Sequence, residues 1–186
     1  SDYIISLCYN TKDQLLYIIK TYKDKKRYNH EIQFYEEIGN QYPYIPKFFG
    51  SDKKNRKICI EYIQGKTLYE FIITNKGNLS YQTKIKLILQ ILLSVEFIHS
   101  KNIFLRDLKL DNIMVNSKYN DAILIDFDLT KLKTDECSEL TGDIGNIIFT
   151  APEQNSSNNY NEKTDIYSLG MIIHFILTEI PYDEKV

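Results

Sequence analysis

The sequence is poor in the residues that staple small folds or cage metals. Its three cysteines, Cys8, Cys59 and Cys137, are odd in number and scattered, with no CxxC pair. That argues against a disulfide framework or a zinc knuckle, and for a reducing compartment. The three histidines, His30, His99 and His174, are equally dispersed, so no metal site built on imidazole is expected. Arginine occurs only at positions 27, 56 and 106; the remaining basic charge is lysine. Neither sign of charge dominates, because 23 basic and 25 acidic side chains leave a formal net charge of −2. No bulk field therefore recruits nucleic acid or an anionic membrane. The longest apolar stretch, Leu169 to Leu177, includes His174 and falls far short of a membrane span. The opening residues, SDYIISLCYN, carry no basic region or long apolar core, so they do not read as a signal peptide. Collagen-like, membrane-spanning, disordered and secreted disulfide-rich classes are excluded together.

What remains is a chain of 186 residues, 43% hydrophobic and 26% charged. That is ordinary for a soluble globular protein and suits one domain or one two-lobed unit. Ile4 to Tyr9 and Leu15 to Lys20 are β-rich runs separated by the turn-prone Asn10-Thr11-Lys12-Asp13, which predicts a hairpin. A helix is expected over His30 to Ile38, stopped by Gly39-Asn40. Phe48 to Gly50 and Lys57 to Tyr62 predict a second hairpin. From Gly65 the period changes: Leu68 to Thr74 fits a short helix, and Tyr81 to Ser100 a long one capped by Ser80. Ile85, Ile88, Leu89, Leu92, Val95 and His99 lie on one face of the long helix. Ile113 to Val115 and Ala122 to Ile125 form a third hairpin, and Thr164 to Thr178, apolar on nearly every side, a buried helix. The fold class expected is α+β, a small β-rich lobe followed by a larger, mainly helical one.

Between Leu105 and Asp126 the polar residues concentrate: Leu105-Arg106-Asp107-Leu108-Lys109-Leu110-Asp111-Asn112, a hairpin, then Asp126-Phe127-Asp128. Phosphoryl transfer needs little covalent help; it needs magnesium, positive charge on the phosphates and a carboxylate at the incoming hydroxyl. The 113–125 hairpin folds the chain back, which can bring Asp126 beside Asn112. A carboxylate with an amide oxygen is a hard site of the kind magnesium prefers. The bland alternative is a polar surface loop.

These strings resemble the catalytic loop and metal-binding motif of eukaryotic protein kinases, and Ala151-Pro152-Glu153 and Asp165-Ile166-Tyr167-Ser168-Leu169-Gly170 follow in that family's order. The resemblance covers nearly the whole chain. It implies a protein kinase-like two-lobed fold truncated at both ends, with an N-lobe over 1–60, a hinge over 61–64 and a partial C-lobe over 65–186. By the same resemblance Asp107 is the catalytic base, Lys109 the γ-phosphate contact, and Asn112 with Asp126 the metal ligands. Lys20 matches the strand lysine that orients the α- and β-phosphates. Its helix partner is best matched by Glu31, with Glu36 and Glu37 as competing choices. Ile60 is the expected gatekeeper, Glu61 and Ile63 offer backbone groups to adenine, Ile18 lies against the base and Met114 beneath it. Tyr35, Phe48, Leu105 and Phe127 align with the apolar stack linking the lobes, Leu105 replacing the usual histidine.

The implied activity is transfer of the γ-phosphate of ATP to serine or threonine hydroxyls of proteins, because a lysine stands two residues past the base. ATP and Mg2+ are the cofactors; the partners are a protein substrate and intramolecular segments missing from this chain, with no nucleic acid and no membrane. The compartment expected is the cytoplasm or the nucleus. Several positions depart from the pattern. Tyr3 stands where the third glycine of the phosphate loop falls. Ile18 replaces a small alanine, Asp128 replaces a glycine and brings negative charge near the phosphates, and Asn146 replaces a threonine. The arginine that would pair with Glu153 is missing. Thr134, Ser138 and Thr141 are candidate phosphate acceptors in the loop that Arg106 would hold. A fragment of a longer kinase explains the ends. A pseudokinase, binding nucleotide or protein without turnover, better explains Ile18, Asp128 and Asn146.

Overall fold

Turn chemistry sets the first layer. The computed structural model describes residues 3–132, 149–152 and 162–180. Strand β1 (Tyr3–Asn10) and strand β2 (Leu15–Tyr22) form an antiparallel hairpin. Its turn is held by Asn10 Oδ1, which accepts from the Lys12 amide at 3.0 Å, and by Asp13 Oδ1, which accepts from the Leu15 amide at 3.0 Å. Strands β3 (Phe48–Asp52) and β4 (Lys57–Glu61) make the second hairpin. The resulting sheet runs β1-β2-β4-β3, antiparallel throughout.

Helix α1 (Lys25–Ile38) packs on this sheet. It begins five residues before the expected start, because Asp24 caps it by accepting a hydrogen bond from the Arg27 amide. The first turns carry no apolar stripe, so periodicity could not announce them. Gly39 ends the helix at φ 59° while its amide bonds to the Tyr35 carbonyl at 2.8 Å.

The second layer starts at strand β5 (Gly65–Thr67), which pairs with β7 (Ile113–Asn116); β7 in turn pairs with β8 (Ala122–Leu124). Gly65 is required by close approach: a Cβ there would lie 2.0 Å from the Val115 carbonyl oxygen. Helix α2 (Leu68–Thr74) opens on a capping box of Thr67 and Glu70. Helix α3 (Tyr81–Ser100) opens on Ser80, whose hydroxyl accepts from the Thr83 amide. Two-residue strands β6 (Ile103–Phe104) and β9 (Lys131–Leu132) pair with each other, and helix α4 (Glu162–Thr178) packs against α3. Among the described residues no helix is long and apolar enough to cross a membrane.

Two helix faces differ from expectation. Helix α3 buries Leu87, Ile88, Gln90, Ile91, Ser94, Val95 and Ile98, whereas Leu89 and Leu92 face outward. The inward face is partly polar because it serves the backbone of the β7–β8 hairpin. Gln90 Oε1 accepts from the Ala122 amide at 2.9 Å, and its Nε2 donates to Asp121 Oδ1 at 2.6 Å. An apolar count cannot see a stripe built on such bonds. Helix α4 buries one face only (Thr164, Asp165, Ser168, Leu169, Ile172, Phe175 and Ile176), leaving Ile166, Tyr167 and Leu177 exposed. One hydrophobic cluster nevertheless runs from Tyr22 and Tyr35 beneath the first sheet to Leu169 and Ile176 in α4, so the two layers share a core.

Candidate active site

The segment between β6 and β7 is a loop whose shape is imposed by α4. Asp165, almost wholly buried, accepts from the Leu105 amide through Oδ2 and from the Arg106 amide through Oδ1, both at 2.9 Å. His99 Nε2 lies 2.8 Å from the same Oδ2. These bonds stabilise Arg106 at φ 69°, a left-handed conformation costly for a side chain with a Cβ. The loop then presents Asp107. Asn112 Nδ2 donates to both the Asp107 carbonyl and Asp107 Oδ2 at 2.9 Å, and Lys109 Nζ meets the same Oδ2 at 2.6 Å. The three polar residues picked from their spacing therefore form one hydrogen-bonded unit.

The β7–β8 hairpin closes the site. The Ile125 amide donates to the Asn112 carbonyl at 2.8 Å, which places Asp126 immediately after the residue bonded to Asn112. Asp126 has φ 66° and is gripped from two sides. Lys20 Nζ contacts Oδ1 at 2.8 Å, and the Tyr3 hydroxyl donates to Oδ2 at 2.6 Å. Lys20 also reaches Glu31 Oε1 at 2.9 Å and Oε2 at 3.2 Å. Glu31, not Glu36 or Glu37, is thus the helix partner of Lys20; Glu36 instead sits at the surface near Lys53.

Electrostatics follow from this crowding. Burial acts to raise the Asp126 carboxyl, but the charge and hydrogen bond of Lys20 and the Tyr3 hydroxyl outweigh it and hold it below the usual range. Glu31 is fully buried and pushed up to about 7 by desolvation, against the opposing pull of Lys20. Burial penalises charged Lys20, yet two carboxylates, Glu31 and Asp126, raise it well above the ordinary value. Asp128 is raised by burial and by Asp126, with Arg27 opposing. Burial and Asp126 likewise push the Tyr3 hydroxyl far up.

The donor set suits a small divalent cation. Asn112 spends its amide nitrogen on Asp107, and its Oδ1 accepts no hydrogen bond from any described residue. Asp126, next in the chain to the residue whose amide bonds the Asn112 carbonyl, supplies a carboxylate whose oxygens are held by Lys20 and Tyr3. Glu31, Asp126 and Asp128 together outnumber the cations Lys20 and Arg27 that meet them. Among the described residues no group of three His, Cys, Asp or Glu side chains forms a metal cage. A two-donor site of oxygen atoms, completed by phosphate and water, is the arrangement magnesium accepts.

Other expected positions surround this unit. Ile18 on β2 pairs with Ile60 on β4, and Met114 on β7 pairs with Thr67 and Ile123. The Glu61 amide is spent on the Lys47 carbonyl at 2.8 Å and its carboxylate on the Lys47 amide, so any backbone group it offers a ligand is its carbonyl. Residues 62–64, including Ile63, run without regular structure between β4 and β5. Tyr35 stacks on Phe48 at 5.2 Å and meets Phe127 edge-on at 5.9 Å, with Leu105 buried in the same cluster. Asn146, Glu153, Thr134, Ser138 and Thr141 lie outside the described residues. Three partners escaped the sequence reading: Tyr3 on Asp126, Phe34 stacked on Phe127 at 3.8 Å, and Arg27 on Asp128 at 2.8 Å. Only the count that put Tyr3 at a glycine position hinted at any of them. Asp128 is buried and paired with Arg27, which opposes its charge.

Residues 4–185 match the sequence profile of the protein kinase domain. A serine/threonine/tyrosine-protein kinase of Arabidopsis thaliana, HT1, is 30% identical over 169 residues, covering 87% of this chain and 43% of that protein. Serine/threonine-protein kinase C of Synechocystis is 33% identical over 162 residues, 83% of this chain and 30% of that protein. Developmentally-regulated protein kinase 1 of Dictyostelium discoideum is 31% identical over 167 residues, 88% of this chain and 23% of that protein. The chain thus spans less than half the length of these relatives. A β-sheet region followed by a helical region, assembled around this motif series and matched from end to end by the family profile, leads to one conclusion: the chain belongs to the protein kinase domain family.

Proposed function

We propose that the chain transfers the γ-phosphate of ATP to serine or threonine hydroxyls of protein substrates, using residues 1–60 and 65–186 as two lobes joined at 61–64. The observation that carries this reading is the Asp107–Lys109–Asn112 unit, bonded through the Asn112 backbone to the strand end that bears Asp126. Lys109, two residues past Asp107, and relatives named as serine/threonine kinases support that substrate class.

The chemistry assigned to the chain's own groups is limited. Asp107 accepts the proton of the incoming hydroxyl as that oxygen bonds to the γ-phosphorus; the bond from phosphorus to the β-phosphate oxygen breaks, and ADP leaves with the electron pair. Asn112 and Lys109 fix the rotamer of Asp107, so the base is positioned before substrate arrives. Lys109 offers its charge to the transferring group, and Lys20, held by Glu31, does so for the α- and β-phosphates. Magnesium, held by Asn112 and Asp126, would supply charge neutralisation at the β- and γ-phosphate oxygens. Ile18, Ile60, Met114, Glu61 and Ile63 frame the adenine. The free thiols Cys8 and Cys59 accord with a reducing, cytoplasmic or nuclear compartment.

One observation favours a second reading, a pseudokinase that binds nucleotide or protein without turnover: the Tyr3 hydroxyl already occupies Asp126 Oδ2. Transfer of label from γ-labelled ATP to a general acceptor protein separates the two. The kinase reading predicts incorporation that Asp107→Asn reduces about 10²–10⁴-fold with an unchanged melting temperature. Equal incorporation by both forms removes Asp107 as the base. No incorporation by folded wild-type protein that still binds ATP establishes the pseudokinase.

A further inference from the structure

Helix α1 meets the segment after β8 along one face. Arg27, His30, Glu31 and Phe34 are spaced i, i+3, i+4 and i+7, so their side chains share a stripe. Each member reaches residues 126–128, directly or through Lys20. Arg27 Nη1 donates to Asp128 Oδ2 at 2.8 Å, and His30 Nδ1 lies 3.3 Å from the Asp128 carbonyl oxygen. Glu31 joins Asp126 through Lys20, and Phe34 stacks on Phe127 at 3.8 Å. Among the contacts of the described residues, Arg27–Asp128 pairs the two elements directly through full opposite charges. The Asp128 side chain is 5% exposed and that of Arg27 28%, so this pair is largely out of water.

We propose that Arg27 and Asp128 form a latch that positions helix α1, and through it Glu31 against Lys20, for nucleotide binding. This inference rests on the proposed role of Lys20 in holding phosphates. Its physical basis is the penalty for a buried, uncompensated charge. Without Arg27, the buried Asp128 carboxylate loses its ion-pair partner, and residues 126–128 lose that tie to α1. Without Asp128, the first turn of α1 keeps its Asp24 cap but loses its charged tie to residues 126–128, and the setting of Glu31, one turn further on, against Lys20 loosens. Arg27 and Asp128 touch no reacting atom; both are positioning residues.

The test uses Arg27→Ala, Asp128→Ala and the double variant, read in two ways. Hydrogen exchange of the peptide covering residues 25–38 reports the helix independently of activity. Steady-state kinetics report kcat and the KM for ATP. The latch predicts faster exchange over the Arg27–Glu31 turn in each single variant and a kcat/KM for ATP lowered by roughly tenfold or more. The double variant should be no worse than either single, because the two side chains act as a unit. Wild-type exchange, additive losses, or an unchanged kcat/KM in variants that only melt earlier would each overturn the proposal. If wild-type protein transfers no phosphate, the functional reading fails by itself, and the exchange arm still decides whether the latch exists.

Discussion

Replacing Tyr3 with phenylalanine removes one hydroxyl and leaves the ring over Lys20, 4.9 Å from Nζ, and against Tyr22 at 5.2 Å. The hydroxyl donates to Asp126 Oδ2 at 2.6 Å, a bond to an ionised acceptor that contributes about 1.5–3 kcal/mol. If a magnesium–nucleotide complex must take that oxygen, it first breaks this bond, and the same free energy opposes binding. Tyr3→Phe then has two effects of opposite sign. The unliganded protein loses stability, lowering its melting temperature by roughly 3–12 °C for a chain of this size. Affinity for ATP with magnesium rises about tenfold or more, since 1.4 kcal/mol is a factor of ten. Isothermal titration beside a thermal melt reads both from one preparation. A variant that melts earlier but binds magnesium–ATP no better, or more weakly, would refute the idea that the hydroxyl competes for Asp126.

Gly65→Ala tests the close pairing of β5 and β7. The added methyl would sit 2.0 Å from the Val115 carbonyl oxygen, so the strands must separate, at a cost of about 1–3 kcal/mol measurable by urea denaturation; wild-type stability would mean that the pairing tolerates a side chain. The pH dependence of stability tests Glu31. Its folded value of about 7 lies above the ordinary 4.5, so the folded state binds a proton that the unfolded state has released between those values. Stability therefore falls as pH rises through that window, by about 3 kcal/mol in all. Lys20, Asp126, Asp128 and Tyr35 are the charged and titratable groups that act on Glu31, and Glu31→Gln leaves all four in the sequence. Denaturation at pH 5.5 and pH 8 should show a shallower loss in Glu31→Gln than in wild type; parallel slopes would place the titration elsewhere.

Local signals made much of the fold legible. Asn10 to Asp13, Ser80 and Gly39 punctuate the chain with side-chain caps and a positive φ, and each ended or began an element as its chemistry required. The Asp107–Asn112 unit was legible because its members lie within six residues, and its neighbour Asp126 because a short hairpin separates them. What stayed hidden depends on distance along the chain. Tyr3 meets Asp126 across 123 residues and Arg27 meets Asp128 across 101, and no local pattern encodes such partners. In the sequence Asp128 is surplus negative charge; in the fold Arg27 lies beside it. The inward face of α3 departs from the apolar pattern because Gln90 and Ser94 are buried for their hydrogen bonds, which a hydrophobic count scores as exposed.

Divalent-cation dependence of ATP binding tests the assembled site most directly. ATP is titrated into wild-type protein and into Asp126→Asn, each with magnesium and with a chelator. Magnesium should tighten ATP binding to the wild type by roughly tenfold or more, and Asp126→Asn, still folded, should lose this enhancement. Equal ATP affinity with magnesium and with chelator in the wild type, or full enhancement retained by the variant, would contradict it.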